Sequence, residues 1–68
     1  MDRYLIIVGD CAGERGSYEC RGFAEVRRLV RFLVELLDKR TYRIVVNNLD
    51  RMDVDSDGLT DDERDELP

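Results

Sequence analysis

Residues 23–39 read FAEVRRLVRFLVELLDK and carry the most regular apolar pattern of the chain. At 100° per residue, most of their large apolar side chains fall on one stripe, and arginines and acids hold the opposite face. The residues of this stripe are Val26, Leu29, Leu33, Leu36 and Leu37, with Val30 and Phe32 at its borders. The pattern predicts a long amphipathic helix over residues 23–39. Its apolar arc spans about 200°, wider than the ≳100° stripe of an ordinary surface helix, so we expect two surfaces to cover it.

Three strands are predicted around this helix. Residues 3–8 (RYLIIV) form a short apolar run, which is typical of a strand covered on both faces. In residues 17–21, Tyr18 and Cys20 alternate with charged residues, which indicates a half-exposed edge strand. A glycine-rich turn over residues 9–16 would join these two strands as a hairpin. Residues 41–47 (TYRIVVN) predict the third strand.

The element order predicts an α+β fold with a β-β-α-β core. A right-handed crossover through the helix makes the third strand parallel to the second, so the sheet is mostly antiparallel with strand order 2-1-3. The helix then covers the face that bears Tyr4, Ile6 and Val8. Leu5 and Ile7, together with Val45, point to the other face, so we expect the C-terminal segment or a second molecule to cover that face.

A short acidic helix is predicted at the C-terminus. Thr60 and Glu63 have the spacing of a capping box, in which each side chain bonds the backbone N–H of the other residue. The pattern predicts a helix over residues 61–67 that ends at Pro68.

Charge divides the chain into two parts. Residues 1–49 carry nine bases and seven acids, whereas residues 50–68 carry two bases and nine acids, a net charge of −7. We therefore expect a core domain, 1–49, and an acidic C-terminal tail, 50–68. The chain has no histidine and only two cysteines, so we expect a non-enzymatic protein. It also lacks an apolar run of about 18 residues and a signal-peptide pattern, which favours a cytoplasmic protein that does not bind membranes.

The acids of the tail are the predicted partner-binding surface. They are Asp50, Asp53, Asp55, Asp57, Asp61, Asp62, Glu63, Asp65 and Glu66. Carboxylates at such spacings resemble the phosphates of a nucleic-acid strand, so we expect a protein partner with a basic surface. Arg27, Arg28 and Arg31 form a basic patch on the long helix, but the net charge of −5 disfavours direct nucleic-acid binding.

Calcium binding is an alternative for the same segment. Asp53, Asp55, Asp57 and Gly58 have the spacing of a calcium loop, and Asp61 falls at its ninth position. The twelfth position, which needs a bidentate acid, is Arg64. A strand–loop–helix calcium module therefore remains open, with Asp53, Asp55, Asp57 and Asp61 as ligands. We expect no other cofactor.

The two cysteines are not expected to form a disulfide in the simplest hairpin. If the turn centres near residues 14–15, Cys11 faces Tyr18 and Cys20 faces Gly9, so a bridge would need a register shift. Cys20 is then a small apolar core residue. The pattern leaves the redox state of both thiols open.

The layout of residues 3–47, a β-hairpin followed by a helix and a strand, resembles that of small phage-encoded proteins, among them anti-CRISPR inhibitors. The resemblance lies in size and element order and includes no sequence motif. It implies an inhibitor without catalysis that blocks the DNA channel or the guide-assembly surface of a bacterial nuclease complex. No individual residue role follows from it. A structural homodimer without further activity is the remaining alternative.

Overall fold

The computed structural model describes all residues, 1–68, and shows the predicted α+β fold. Its elements are β1 (Arg3–Asp10), β2 (Gly13–Arg21), α1 (Phe23–Leu36), β3 (Arg43–Asn48) and α2 (Asp61–Glu66). The strand order is β2-β1-β3, and β1 is antiparallel to both neighbours. The predicted order 2-1-3 is therefore confirmed, with β2 and β3 parallel to each other. No helix combines the length and the apolarity that a membrane crossing needs.

The hydrophobic core lies between the sheet and α1. Alternation along the central strand places Tyr4, Ile6 and Val8 on the face under the helix, where all three are buried. The other members of the buried cluster are Cys20, Val26, Val30, Leu33 and Val46. The ring of Tyr4 also meets the ring of Phe23 edge to face, with 5.7 Å between the centroids. Cys20 is thus the small apolar core residue that its pattern predicted.

The hairpin turn lies nearer to β1 than the sequence predicted. It consists of Cys11 and Ala12, because the Asp10 carboxylate accepts the Ala12 N–H at 2.8 Å and a bond from Arg15 at 2.6 Å. A β-bulge after Val8 leaves Arg15 as an extra residue in β2, so the strand continues regularly beyond it. The expected long turn over residues 9–16 is therefore wrong. Cys20 pairs with Tyr4, not with Gly9, and both thiols are free.

The helix α1 is shorter than expected, since it ends at Leu36 and Leu37 is already extended. Asp38 explains the early end. Its side chain accepts the Arg40 N–H at 2.9 Å and a bond from the Thr41 hydroxyl, which stabilises a turn that competes with another helical turn.

The face of α1 that enters the core is also rotated relative to the predicted stripe. Val26 and Leu33 are buried as expected, and Val30, expected at the border, is buried with them. Leu36 is 65% exposed, so its assignment to the buried stripe was wrong. The cause is the C-terminal segment, whose Leu67 packs against the core while Pro68 lies beside Val34. This second covering surface lies on one flank of α1 only.

The second face of the sheet is not covered by the C-terminal segment, contrary to one of the two expectations. Leu5 and Ile7 are half-buried by their neighbours, and Val45 is 39% exposed. The segment turns to the α1 side because Leu59 and Leu67 join the core there. Within a single chain, this face of the sheet therefore remains open.

Candidate functional site

The acidic C-terminal segment starts from one fully buried residue, Asn48. Its backbone N–H donates to the Asp57 carbonyl at 2.7 Å, and its carbonyl accepts the Met52 N–H at 2.8 Å. Its side chain donates to the Asp2 carboxylate at 3.1 Å and accepts the Asp50 N–H at 2.9 Å. Three polar groups of Asn48 thus fasten both ends of the loop 49–57 to the end of β3, and its side-chain N–H ties this point to Asp2 at the N-terminus.

The loop 49–57 is compact because short-range bonds close it. Asp53 and Ser56 exchange backbone bonds of 3.2 and 3.4 Å, and the Asp53 carboxylate accepts the Asp55 N–H at 2.9 Å. Gly58 follows with φ +78°, and a Cβ there would come within 2.8 Å of the Met52 nitrogen. The resulting turn presents Val54 as a fully exposed apolar side chain between two aspartates.

Helix α2 is fixed at its N-terminus and against the core. The Thr60 hydroxyl accepts the Glu63 N–H at 3.1 Å, and the Glu63 carboxylate accepts the Thr60 N–H at 2.9 Å, so the predicted capping box is confirmed. The second Glu63 oxygen accepts a hydrogen bond from the Tyr4 hydroxyl. Leu67 packs against the core at the C-terminal end of the helix. The helix is therefore held at both ends.

The contact between Tyr4 and Glu63 changes the pKa of both groups. Burial and the bond to Glu63 raise the pKa of Tyr4 to about 12. Burial alone would raise the pKa of Glu63, but the bonds from the Thr60 N–H and from Tyr4 outweigh it, so this pKa lies below its ordinary value. Glu63 is therefore an ionised structural acid at neutral pH.

Three further acids of the segment are occupied by arginines. Asp50 accepts the backbone N–H of Arg3 at 2.7 Å and pairs with its guanidinium at 3.1 Å. Asp57 pairs with Arg64 at 2.7 Å, and these bonds, with that from the Leu59 N–H, lower its pKa. Glu66 lies 3.0 Å from Arg27 on α1. The pairs with Arg3 and Arg27 connect the segment 50–68 to the core domain, residues 1–49, and the pair with Arg64 lies within the segment.

The remaining five acids of the predicted surface face solvent. They are Asp53, Asp55, Asp61, Asp62 and Asp65. Only Asp61 has an ion pair, a loose one of 3.5 Å to Arg64, and its side chain is 97% exposed. At 100° per residue, Asp61, Asp62 and Asp65 occupy one arc of α2, away from the docked Glu63. The structure thus separates four carboxylates that are bound by arginines or by Tyr4 and Thr60 from five exposed ones that have at most a local backbone bond, as Asp53 does, or a loose ion pair, as Asp61 does.

The four predicted calcium ligands are not brought together. No group of three or more Asp, Glu, Cys or His side chains lies close enough to hold a metal ion. The carboxylates of Asp57 and Asp61 both pair with Arg64, and the Asp53 carboxylate accepts the Asp55 N–H within the loop. A guanidinium thus lies beside two of the four carboxylates that calcium would need.

Two other surfaces border a cysteine thiol, namely a cavity beside the hairpin turn and the groove between α1 and β2. A cavity of about 460 Å³ lies between the hairpin turn and residues 39–43, lined by Lys39, Arg40 and Arg43 but also by Glu14, which makes its charge mixed. The exposed Cys11 borders it without a histidine to activate it. Burial raises the pKa of the Cys20 thiol, with a smaller effect of Glu25, which makes Cys20 a poor nucleophile. Neither surface assembles a nucleophile with a base.

Three residues that matter at this site were missed or misread in the sequence. The predicted third strand ends before Asn48 and gives it no role, although an Asn directly after a buried strand and two residues before an Asp is a turn signal. The Tyr4 hydroxyl bond and the exposure of Val54 depend on contacts between distant segments, and the sequence carries no local signal for either.

No protein-family model, curated protein or solved structure matches the chain. A proposal about its function therefore depends on the residues themselves.

Proposed function

We propose that this protein binds the basic, nucleic-acid-binding surface of another protein through its acidic C-terminal segment and blocks that surface. The observation that carries the proposal is the set of five solvent-facing aspartates on the loop 49–57 and α2, beside the exposed Val54. The β-hairpin–helix–strand layout adds the specific candidate, a CRISPR nuclease complex inhibited by a phage-encoded protein.

The arrangement of the aspartates suits a groove that normally holds phosphates. Asp61, Asp62 and Asp65 lie on one arc of α2, and Asp53 and Asp55 flank the loop tip. Carboxylates, like phosphates, are bound by arginine and lysine through charge-assisted bonds. A basic groove that receives a nucleic-acid backbone is therefore chemically matched to this surface.

The rigidity of the segment favours binding. Asn48, Gly58 and the capping box hold the loop and α2 in place before a partner arrives, so little conformational entropy is lost on association. Val54 supplies an apolar side chain at the loop tip, 101% exposed, that a pocket among basic groups can bury. Electrostatic attraction then sets the association rate, and the apolar contact contributes to the lifetime of the complex.

The test is inhibition of purified, guide-loaded CRISPR nuclease complexes, measured as loss of DNA binding and cleavage at low and at high salt. The informative variant is Asp62→Asn with Asp65→Asn, since neither side chain has a protein partner. The matched control is Glu14→Gln with Glu19→Gln, which changes the net charge equally on an exposed strand of the body. We expect the tail variant to lower the association rate about tenfold at low salt, and the control variant to change it much less.

Two results would contradict the proposal. If the wild-type protein inhibits none of the purified CRISPR nuclease complexes, the proposed partner is wrong. If both double variants inhibit equally well, the acidic segment is not the binding surface.

A further inference from the structure

One flank of α1 carries large apolar side chains that the chain itself leaves uncovered. Phe32 is 58% exposed, Leu36 is 65% exposed, and Leu29 beside them is half-buried. These three residues, spaced by three and four positions, form one stripe along the helix. We call it the Phe32 stripe. On the same side of the sheet, β2 adds Tyr18, which is 45% exposed.

The two flanks of α1 differ because the C-terminal segment covers only one of them. On the covered flank, Arg27 pairs with Glu66 and Val34 lies beside Pro68. On the other flank, a groove of about 380 Å³ runs between α1 and β2, lined by Leu29, Phe32 and the buried Cys20 and also by the charged residues Glu19, Glu25 and Arg28. The Phe32 stripe thus has both a protruding aromatic ring and an adjacent groove. A surface that carries both a ring and a groove can pack against a second copy of itself across a twofold axis.

The charges beside the Phe32 stripe indicate what covers it. Arg28 comes one position before Leu29, and Glu35 comes three positions after Phe32, on the same border of the stripe. Neither Arg28 nor Glu35 takes part in an ion pair within the chain. A partner with the opposite order of charges would pair with both residues, and the chain itself has that order when α1 is reversed.

We propose that the Phe32 stripe is the interface of a homodimer in which α1 packs antiparallel against α1 of a second copy. A twofold axis between residues 30 and 31 places Leu29 against the second copy's Phe32, whose ring enters the groove beside Cys20. The same axis places Arg28 beside the second copy's Glu35, and symmetry repeats this pair. A parallel pair brings equivalent positions together and lacks this attraction.

The dimer is expected to be weak. The protruding part of the stripe is small, whereas a standard interface buries about 800 Å² per partner, about a sixth of the 5064 Å² surface. We therefore expect a dissociation constant in the micromolar range, with dimers at about 100 µM and monomers well below about 1 µM. Each dimer would present two acidic C-terminal segments on the far flanks of the helix pair.

Sedimentation equilibrium of the full chain over a concentration series, with a reductant present because Cys11 is exposed, measures this constant. Phe32→Glu should abolish the dimer, since it removes the ring and places a further carboxylate in a groove that already carries Glu19 and Glu25. Arg28→Glu and Glu35→Arg should each raise the dissociation constant about tenfold, because each turns two attractive pairs into two repulsive ones. The double variant Arg28→Glu with Glu35→Arg restores both ion pairs with their charges exchanged. It should return the dissociation constant to within about threefold of the wild-type value.

Arg31→Glu is the matched control, because it makes the same charge change on the same helix outside the Phe32 stripe, and it should leave the constant unchanged. Circular dichroism checks that each variant is folded, as expected for exposed positions. A wild-type chain that stays monomeric at about 100 µM would overturn the proposal, since that concentration lies above the expected constant. So would a dimer that survives Phe32→Glu, or a charge-reversed double variant that binds no better than its single variants.

Discussion

Replacing Leu33 by alanine should remove much of the free energy of unfolding, whereas the same replacement at Leu36 should remove little. Leu33 is 4% exposed and belongs to the buried cluster, while Leu36, one turn further along the same helix, is 65% exposed. The two substitutions delete the same atoms from the same helix. Their difference therefore reports mainly on burial.

The magnitude follows from the buried carbons. Leu33→Ala removes three carbons at about 0.8 kcal/mol each and leaves a cavity, which together give about 3–4 kcal/mol. At Leu36, where about a third of that surface is buried, the loss should stay under about 1 kcal/mol. A chain of 68 residues is expected to have a total stability of about 3–10 kcal/mol. Leu33→Ala should thus leave a substantial unfolded population.

Urea denaturation followed by circular dichroism measures both values. The protein concentration should be well below about 1 µM, so that dimerisation through the Phe32 stripe does not contribute. Equal losses at the two positions, or a loss below about 1 kcal/mol for Leu33→Ala, would show that the core between α1 and the sheet is not packed as described.

Three further predictions concern the C-terminal segment. Tyr4→Phe should cost about 1.5–3 kcal/mol at neutral pH, because it removes a bond to the charged Glu63, and Tyr18→Phe should cost little. Because the pKa of Glu63 is lowered in the folded state, the loss of stability caused by Tyr4→Phe should shrink as pH falls through that pKa. A loss that stays constant with pH in urea titrations would refute the hydrogen bond between Tyr4 and Glu63. Gly58→Ala should lower stability by at least about 1–3 kcal/mol because of its positive φ, whereas Gly16→Ala, with open space around it, should not; equal thermal midpoints would contradict the account of the loop. Calcium should leave the thermal midpoint unchanged relative to chelator, and a calcium-dependent rise would show that the Asp-rich loop rearranges around the ion.

The acidic surface shows how far sequence reasoning reaches at this site. The charge of residues 50–68 and the capping box at Thr60 are visible in the sequence, because both depend on residues a few positions apart. Which carboxylates a partner can reach is not visible there. Asp50 is held by Arg3 and Glu66 by Arg27, and these pairs join residues 47 and 39 positions apart. Only the packing of the segment on α1 and β1 brings them together.

The sequence by itself determined the element order, the 2-1-3 sheet and the amphipathic character of α1. Those features follow from periodicity, turn residues and chain connectivity, which act within one element or between neighbouring ones. The tertiary structure decided which flank of α1 is covered and which is open. Leu29, Leu36 and Val34 have similar apolar character in the sequence, yet only the flank of Val34 is covered by the C-terminal segment. The anchoring of that segment by Asn48 and Tyr4 selects the covered side, so the open Phe32 stripe results from long-range contacts.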